Sequence, residues 1–428
     1  MSVRQHSLGP ALGVIADDFT GAVLVAALLE SAGVCCPVAL TPGALGQETA
    51  PVVVVAGRSR TILVAEALAE IGTACDALVR AGCRQLAYKA CASFDSTAAG
   101  NIGPAADLLA GRTGRRPVLM SAGFPRFGAT VHHGYLFYRH RLVSESIKRF
   151  DPLTPMEDPD LVRFLGRQTP HPVRLISHLT LVNGAEATRA ALQGLIDEGA
   201  GHVLFDTSDE GDVAQTARQA AETGLPIAAS DPLIVALGLR LAKAGSDRPA
   251  SPTLPPRPAS GPVVSLIGST GPVAMRQQRV LASAQPVLPL DLLADAEEAA
   301  QIAATLEWAD AQSGSFAIST ACDVDELVKV QARFGALAAA RRAENLLAGI
   351  AAGLRARGHA RFSVTGGETS GAVVAALGLT RLRALPEGAL GTGECLSDDL
   401  TQSPCWLFLK PGKLGDDDIL LRAGQHRD

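Results

Sequence analysis

The chain has 428 residues, a length that suggests two or three domains at about 150 residues each. It is 47% hydrophobic but only 4% aromatic, so its cores must be built mainly from Ala, Val, Leu and Ile, and a disordered or fibrous chain is excluded. A formal net charge of −5 without any long basic run argues against nucleic acid as a partner, because phosphate neutralisation needs clustered Lys and Arg.

The first residues carry Arg4 and His6 with no apolar stretch behind them, so no signal peptide is expected. The most apolar window, 23–40, is broken by Glu30, Ser31 and Pro37, short of the ~18 apolar residues a membrane span needs. Eight cysteines at irregular spacings, with no Cys-x-x-Cys pair, read as reduced thiols packed as small hydrophobes. The expected setting is cytoplasmic, with no membrane partner.

The predicted elements alternate along the chain. A strand over 12–16 is followed by a helix over 23–31 that Gly33 stops; a strand over 52–56 precedes a helix near 64–69. Leu86 to Tyr88 reads as the end of a further strand, with a helix resuming near Ala105. Strands then follow at 173–176, 202–205, 263–267, 316–319 and 362–365, with an apolar run at 406–409. Strands separated by helical stretches imply crossover connections and parallel sheets covered by helices. Six prolines within the 17 residues 246–262 make that stretch an extended linker. The expectation is therefore an α/β protein of two domains, 1–245 and 263–428, with mainly parallel sheets and the active site in the cleft between them. Ligands in such sheets sit at the carboxyl ends of strands, which directs attention to the loops there.

The first such loop reads Ile15-Ala16-Asp17-Asp18-Phe19-Thr20-Gly21-Ala22. One Asp before a helix is explained as a cap. A second, between an apolar strand and an apolar helix, suggests a nearby cation, metal or hydroxyl-rich ligand that offsets the repulsion. Arg58 and Arg60 follow the next strand and are suited to bidentate pairing with a carboxylate. Lys89, Ser93, Asp95, Ser96 and Thr97 then place a cation, a carboxylate and hydroxyls in one loop, ahead of Gly100-Asn101-Ile102-Gly103-Pro104. Such a loop can grip a polyhydroxylated anion.

The C-terminal part offers glycine turns instead. Gly268-Ser269-Thr270-Gly271, Thr365-Gly366-Gly367-Glu368-Thr369 and Lys410-Pro411-Gly412-Lys413-Leu414-Gly415 each follow a predicted strand. Glycine admits a phosphate close to the backbone, and the N–H groups and dipole of a following helix stabilise its charge. Three such loops in one domain suggest a nucleotide. Neither a Walker P-loop nor the dinucleotide fingerprint Gly-x-Gly-x-x-Gly after the first strand is present, which places an NAD-dependent oxidoreductase last. His132 and His133 are neighbours without a third spaced ligand, so they read as structural or substrate-lining residues.

In this order, the loops at 15–22, 89–104, 366–371 and 410–415 resemble the four-carbon acid sugar kinase family over nearly the whole chain. Ser93 to Thr97, Gly100 to Pro104, Gly134 to Phe137 and Pro152 to Met156 are similar to its 3-oxo-tetronate kinase branch. The resemblance implies ATP-dependent phosphorylation of a terminal hydroxyl on a small-molecule sugar acid, with Mg²⁺ on the phosphates. It implies Asp17, Asp18, Arg60, Lys89, Asp95 and Ser96 around the sugar acid; phosphoryl transfer needs a carboxylate near the hydroxyl to accept its proton, and Asp18 is expected there, with Asp17 next. Ser269, Gly366, Gly367, Glu368, Thr369 and Gly412 would line the ATP site. Two stretches depart from the family pattern: Gly128-Ala129-Thr130 in place of Gly-Arg-Thr, and Ala228 to Leu233 in place of Gly-Gly-Ser-Gly-Leu. They leave open a branched substrate such as 3-oxoisoapionate, or a non-catalytic binder on the same scaffold. The metal ligands and a homo-oligomeric state also stay open.

Overall fold

The computed structural model describes residues 9–46, 48–151, 153–244, 254–258, 260–399, 403–412 and 415–425. The chain divides into two compact units, 1–252 and 253–428. Of the linker expected at 246–262, residues 246–253 and 259 lie outside the described residues, as do Pro152, Lys413 and Leu414 of the motifs above.

In the first unit the strands are β1 (Leu12–Ala16), β2 (Pro37–Ala39), β3 (Val52–Ala56), β4 (Gln85–Lys89), β5 (Val118–Ser121), β6 (Ala129–His132), β7 (Tyr135–Tyr138), β8 (Arg141–Leu142), β9 (Val173–Ile176), β10 (His202–Phe205) and β11 (Ile227–Ala229). Its helices are α1 (Phe19–Ser31), α2 (Val64–Arg80), α3 (Ile102–Thr113), α4 (Leu161–Gly166), α5 (His178–Leu181), α6 (Ala185–Asp197), α7 (Glu210–Thr223) and α8 (Asp231–Ala244). Eight strands pair in the order β2-β3-β1-β4-β11-β5-β10-β9, every pairing parallel. Helices cover both faces of such a sheet, which is why β3 reads as an uninterrupted Val run with Val52 to Val55 all buried. The helix expected near 64–69 runs on to Arg80. The reason is its buried stripe Ala67, Ile71, Ala74, Leu78, which keeps helical spacing through about three turns.

A smaller antiparallel sheet, β6-β7-β8, leaves the main sheet after β5. His133 and Gly134 form its two-residue turn, both at positive φ (51° and 78°), the geometry that matches strand twist. Their amides donate to the buried Asp206 carboxylate at 2.7 and 2.8 Å, and His132 Nδ1 lies 2.9 Å from Ser208 Oγ. The His pair is thus built into a hairpin.

The second unit contains β12 (Val264–Ile267), β13 (Val287–Pro289), β14 (Phe316–Ser319), β15 (Arg361–Thr365), β16 (Arg381–Ala384), β17 (Glu394–Ser397) and β18 (Trp406–Lys410). Its helices are α9 (Pro272–Ala282), α10 (Glu298–Asp310), α11 (Val324–Phe334), α12 (Ala336–Ala356), α13 (Gly367–Ala376) and α14 (Ile419–Gln425). The order is β13-β14-β12-β15-β18-β17-β16; the first five strands pair in parallel, and the β18–β17 and β17–β16 pairings are antiparallel. Trp406, Phe408, Ile267 and Leu420 anchor one of its cores. Among the described residues, no helix is long and apolar enough to cross a membrane.

Candidate active site

Strand register assembles the first cluster. Ala16 of β1 stands level with Ala56 of β3 and Lys89 of β4, and Lys89 stands level with Ala229 of β11. The chain leaves all four strands at one edge, so Asp17, Asp18, Arg60 and Asp231 gather around Lys89. Here β1 connects through α1 to β2 on one side and its neighbour β4 through α3 to β5 on the other, the switch point at which such folds bind ligands.

Asp18 caps α1: Oδ1 accepts the Gly21 N–H at 2.9 Å and Oδ2 accepts the Thr20 hydroxyl at 3.0 Å. The helix consequently begins at Phe19, a turn earlier than expected, and includes Thr20 and Gly21. Asp17 does not cap. It takes Arg60 bidentately, Nε to Oδ2 at 2.8 Å and Nη2 to Oδ1 at 3.0 Å, and also accepts the Cys91 N–H at 3.2 Å. Arg60 Nη2 reaches Asp18 Oδ1 at 3.0 Å as well. Lys89 Nζ lies 3.5 Å from Asp17, 3.5 Å from Asp18 and 3.6 Å from Asp231.

Burial pushes the Asp18 carboxyl up, but Arg60 and Lys89, with the Thr20 and Gly21 bonds, outweigh it and hold it well below the usual carboxylate range. Burial likewise disfavours the Lys89 ammonium, yet Asp231, Asp18 and Asp17 together raise it above the ordinary lysine value. The side chains of Lys89 and Asp17 are 3% and 4% exposed, whereas Asp18 and Arg60 are 19% and 23% exposed. Asp18 and Arg60 are therefore the members a solute can touch, and Lys89 is a counter-charge enclosed by three carboxylates.

The loop after β4 adds a second pair. Asp95 accepts the Ser93 hydroxyl at 2.7 Å and the Lys148 ammonium at 2.6 Å, and Lys148 lies over the Tyr138 ring. Phe94, buried, holds the loop at a positive φ of 46°. Ser96 is buried and accepts from Gln168 Nε2 at 3.1 Å, so it faces a protein partner. Arg126 and Arg139, which flank the missing Gly-Arg-Thr cation, stack on Phe127 and Tyr138 respectively.

In the second unit Ile267, Thr365 and Lys410 end three neighbouring parallel strands at one level. Their loops interlock: Gly268 N–H donates to Thr365 O at 3.0 Å and Gly366 N–H to Lys410 O at 2.9 Å. A β-carbon on Gly268 would run into the Thr369 hydroxyl, and one on Gly412 into the Ser269 hydroxyl. Gly366 has a φ of 120°, strained for any other residue, and leads into α13, whose first turn holds Gly367, Glu368 and Thr369. Six residues expected on this side thus share one loop cluster. Lys410 joins them: burial lowers its ammonium to about 8, and Nζ donates to Pro411 O at 2.6 Å.

Sequence reasoning did not single out Lys148 or Gln168, and it named Lys410 and Asp231 only within longer stretches, the turn at 410–415 and the departure at 228–233. Asp231 also carries the signal of its place just after the short apolar run that forms β11; Lys148, which follows the β6–β8 excursion, carries none.

The first unit matches a family model described as a sugar-binding N-terminal domain over residues 12–236, and the second a nucleotide-binding C-terminal domain over 264–420. A 3-oxo-tetronate kinase of Methylobacterium radiotolerans is 37% identical across 96% of this chain and 98% of its own length. One of Salmonella typhimurium is 32% identical, again across 96% and 98%. Among solved structures, a Salmonella typhimurium LT2 protein superposes with a TM-score of 0.82 at 31% identity, covering 96% of this chain and 98% of that one. A Haemophilus influenzae protein does so with 0.75 at 28% identity and the same coverage. A sugar-binding α/β unit joined to a nucleotide-binding one defines a kinase, an enzyme that moves a phosphoryl group onto a hydroxyl. The chain belongs to the four-carbon acid sugar kinase family.

Proposed function

We propose that the enzyme uses ATP to phosphorylate the terminal hydroxyl of a four-carbon, 3-oxo-tetronate-type sugar acid, as part of carbohydrate breakdown. The observation that carries this reading is the buried carboxylate–cation cluster at the switch point of the sugar-binding unit. Its partly exposed members set an acceptor beside a donor, Asp18 beside Arg60, and the loop after β4 repeats the pairing with Asp95 beside Lys148. That pattern suits hydroxyls on the carboxylates and the acid's own carboxylate on the cations.

Phosphoryl transfer through a loose transition state asks the protein for positioning and charge neutralisation more than for covalent chemistry. In that setting a strongly ionised Asp18 can orient the attacking hydroxyl and receive its proton late, as the new O–P bond forms. Asp17 would fix Arg60, and Lys89 would neutralise both aspartates from below. Ser269, Gly366, Gly367, Thr369 and Gly412 would present backbone N–H groups and hydroxyls to the nucleotide phosphates. Among the described residues, no three His, Cys, Asp or Glu side chains converge to hold a metal. Mg²⁺ suits the site as an ion carried mainly on the phosphates, with Glu368 as the nearby carboxylate, where it would neutralise phosphate charge. An ADP-release assay with ATP and a panel of four-carbon acids, 3-oxoisoapionate included, tests the proposal. Turnover confined to 3-oxo-tetronates is expected; no stimulation by any acid would overturn it.

A further inference from the structure

The cluster around Lys89 does not balance its charges. Three carboxylates, Asp17, Asp18 and Asp231, face two cations, Arg60 and Lys89. Their compensation is unequal. Asp17 has two guanidinium bonds and a backbone N–H, and Asp18 has a backbone N–H, a hydroxyl and both cations. Asp231, at the start of α8, has Lys89 at 3.6 Å and its own backbone N–H, and its buried Oδ1 has no hydrogen-bond partner. An ionised carboxylate in that position is expensive unless paired.

An anionic substrate makes the imbalance worse. A sugar acid seated against Asp18 and Arg60 brings a fourth carboxylate to two cations, and Arg60 is already shared between two aspartates. The least costly adjustment is a proton on the carboxylate with the fewest donors. We propose that Asp231 takes up a proton from solvent when the sugar acid binds, so that substrate binding is coupled to protonation of this one buried side chain. No bond to the substrate forms or breaks in that step. Lys89 is then released from its third partner, and its full charge faces Asp17, Asp18 and the incoming acid.

The surroundings favour this site for the proton. Burial raises the Asp231 carboxyl; Lys89, from β4, and the residue's own backbone N–H oppose that, Asp18 and Asp17, from the β1–α1 turn, reinforce it, and the net direction is upward. Arg60, from the loop after β3, spends its bonds on Asp17 and Asp18. Asp231 thus acts through Lys89, as a positioning residue.

The inference rests on the sugar-acid reading above, and calorimetry separates the two. Erythronate, a stable four-carbon acid, and a 3-oxo-tetronate are titrated into the full-length enzyme in buffers of different ionisation enthalpy, from about pH 5 to about pH 8. For the wild type, binding heat should vary with buffer in the sense of proton uptake, and Kd should weaken by up to about tenfold per pH unit where uptake approaches one proton. An infrared difference spectrum should gain a protonated-carboxyl band on binding. Asp231→Asn should lose the buffer dependence and the band while still binding the acid. Binding with no proton exchange in the wild type would overturn the coupling and leave the substrate reading standing, as would uptake that survives in a folded Asp231→Asn. No binding of either acid would overturn the substrate reading, and the coupling with it. If Asp231→Asn does not fold, the wild-type heats and infrared band decide.

Discussion

Arg60 holds Asp17 through two near-parallel bonds, 2.8 and 3.0 Å, while the same Nη2 touches Asp18. One guanidinium therefore spaces the two adjacent carboxylates, leaving Asp17 enclosed and Asp18 at the surface of the site. Lysine cannot reproduce that fork. Arg60→Lys should lower kcat/KM for the sugar acid by about 10²-fold, the cost of displacing a reacting group by ~1 Å. Steady-state kinetics would show it, with the KM for nucleotide little changed.

Asp18→Asn keeps the shape of the acceptor and removes its charge. If Asp18 receives the proton, turnover should fall by ~10²–10⁴-fold with substrate affinity changed far less. Normal turnover at saturation would move the acceptor role elsewhere. Asp95 is a weak successor, since Lys148 and Ser93 already occupy both its oxygens.

The depressed Asp18 carboxyl also links stability to pH. Its stabilisation is complete above the ordinary Asp range, ~4, and is lost as pH falls through that value toward the lower one it has in the folded chain. Melting temperatures of the wild type should decline with acidification in this range, and those of Asp18→Asn should decline less steeply.

Gly412→Ala places a β-carbon against the Ser269 side chain. Overpacking of this kind costs ~1–3 kcal/mol. If the loop cluster is the nucleotide cradle, nucleotide KM should rise by about tenfold or more and the KM for the sugar acid should stay put. A folded variant with unchanged nucleotide KM would take this loop out of the site.

Lys410 is cationic below about 8 and loses its charge above it, because burial disfavours the ammonium. With the lysine facing phosphate, kcat/KM for the nucleotide should fall as pH rises through about 8. The expected decline in kcat is smaller, because a bound phosphate restores the lysine's affinity for its proton. Lys410→Met should be slower throughout and lack this step in its pH profile.

Much of this protein is legible in its sequence. The alternation of apolar strands with Ala/Leu-rich helices follows from local periodicity, and carboxylates or glycines at strand ends follow from the chemistry of turns. Asp17, Asp18, Arg60, Lys89 and the three glycine loops can be picked out on those grounds, because each signal lies within a few consecutive residues. Short strands were missed where two or three apolar residues carry no period of their own, as in β2, β11 and β13.

Only the tertiary structure decides which loops meet. The order β3-β1-β4-β11 is a non-local outcome of helices burying both faces of a parallel sheet, and no spacing in the chain announces it. That order sets Ala229 level with Lys89 and so delivers Asp231 to a lysine it never neighbours in sequence. It also assigns the two adjacent aspartates opposite tasks, Asp18 capping α1 at the surface and Asp17 turned inward to Arg60. The charge of the site, its buried excess and its accessible edge arise from that packing, because electrostatic partnership depends on distance through space and on burial, and sequence separation measures neither.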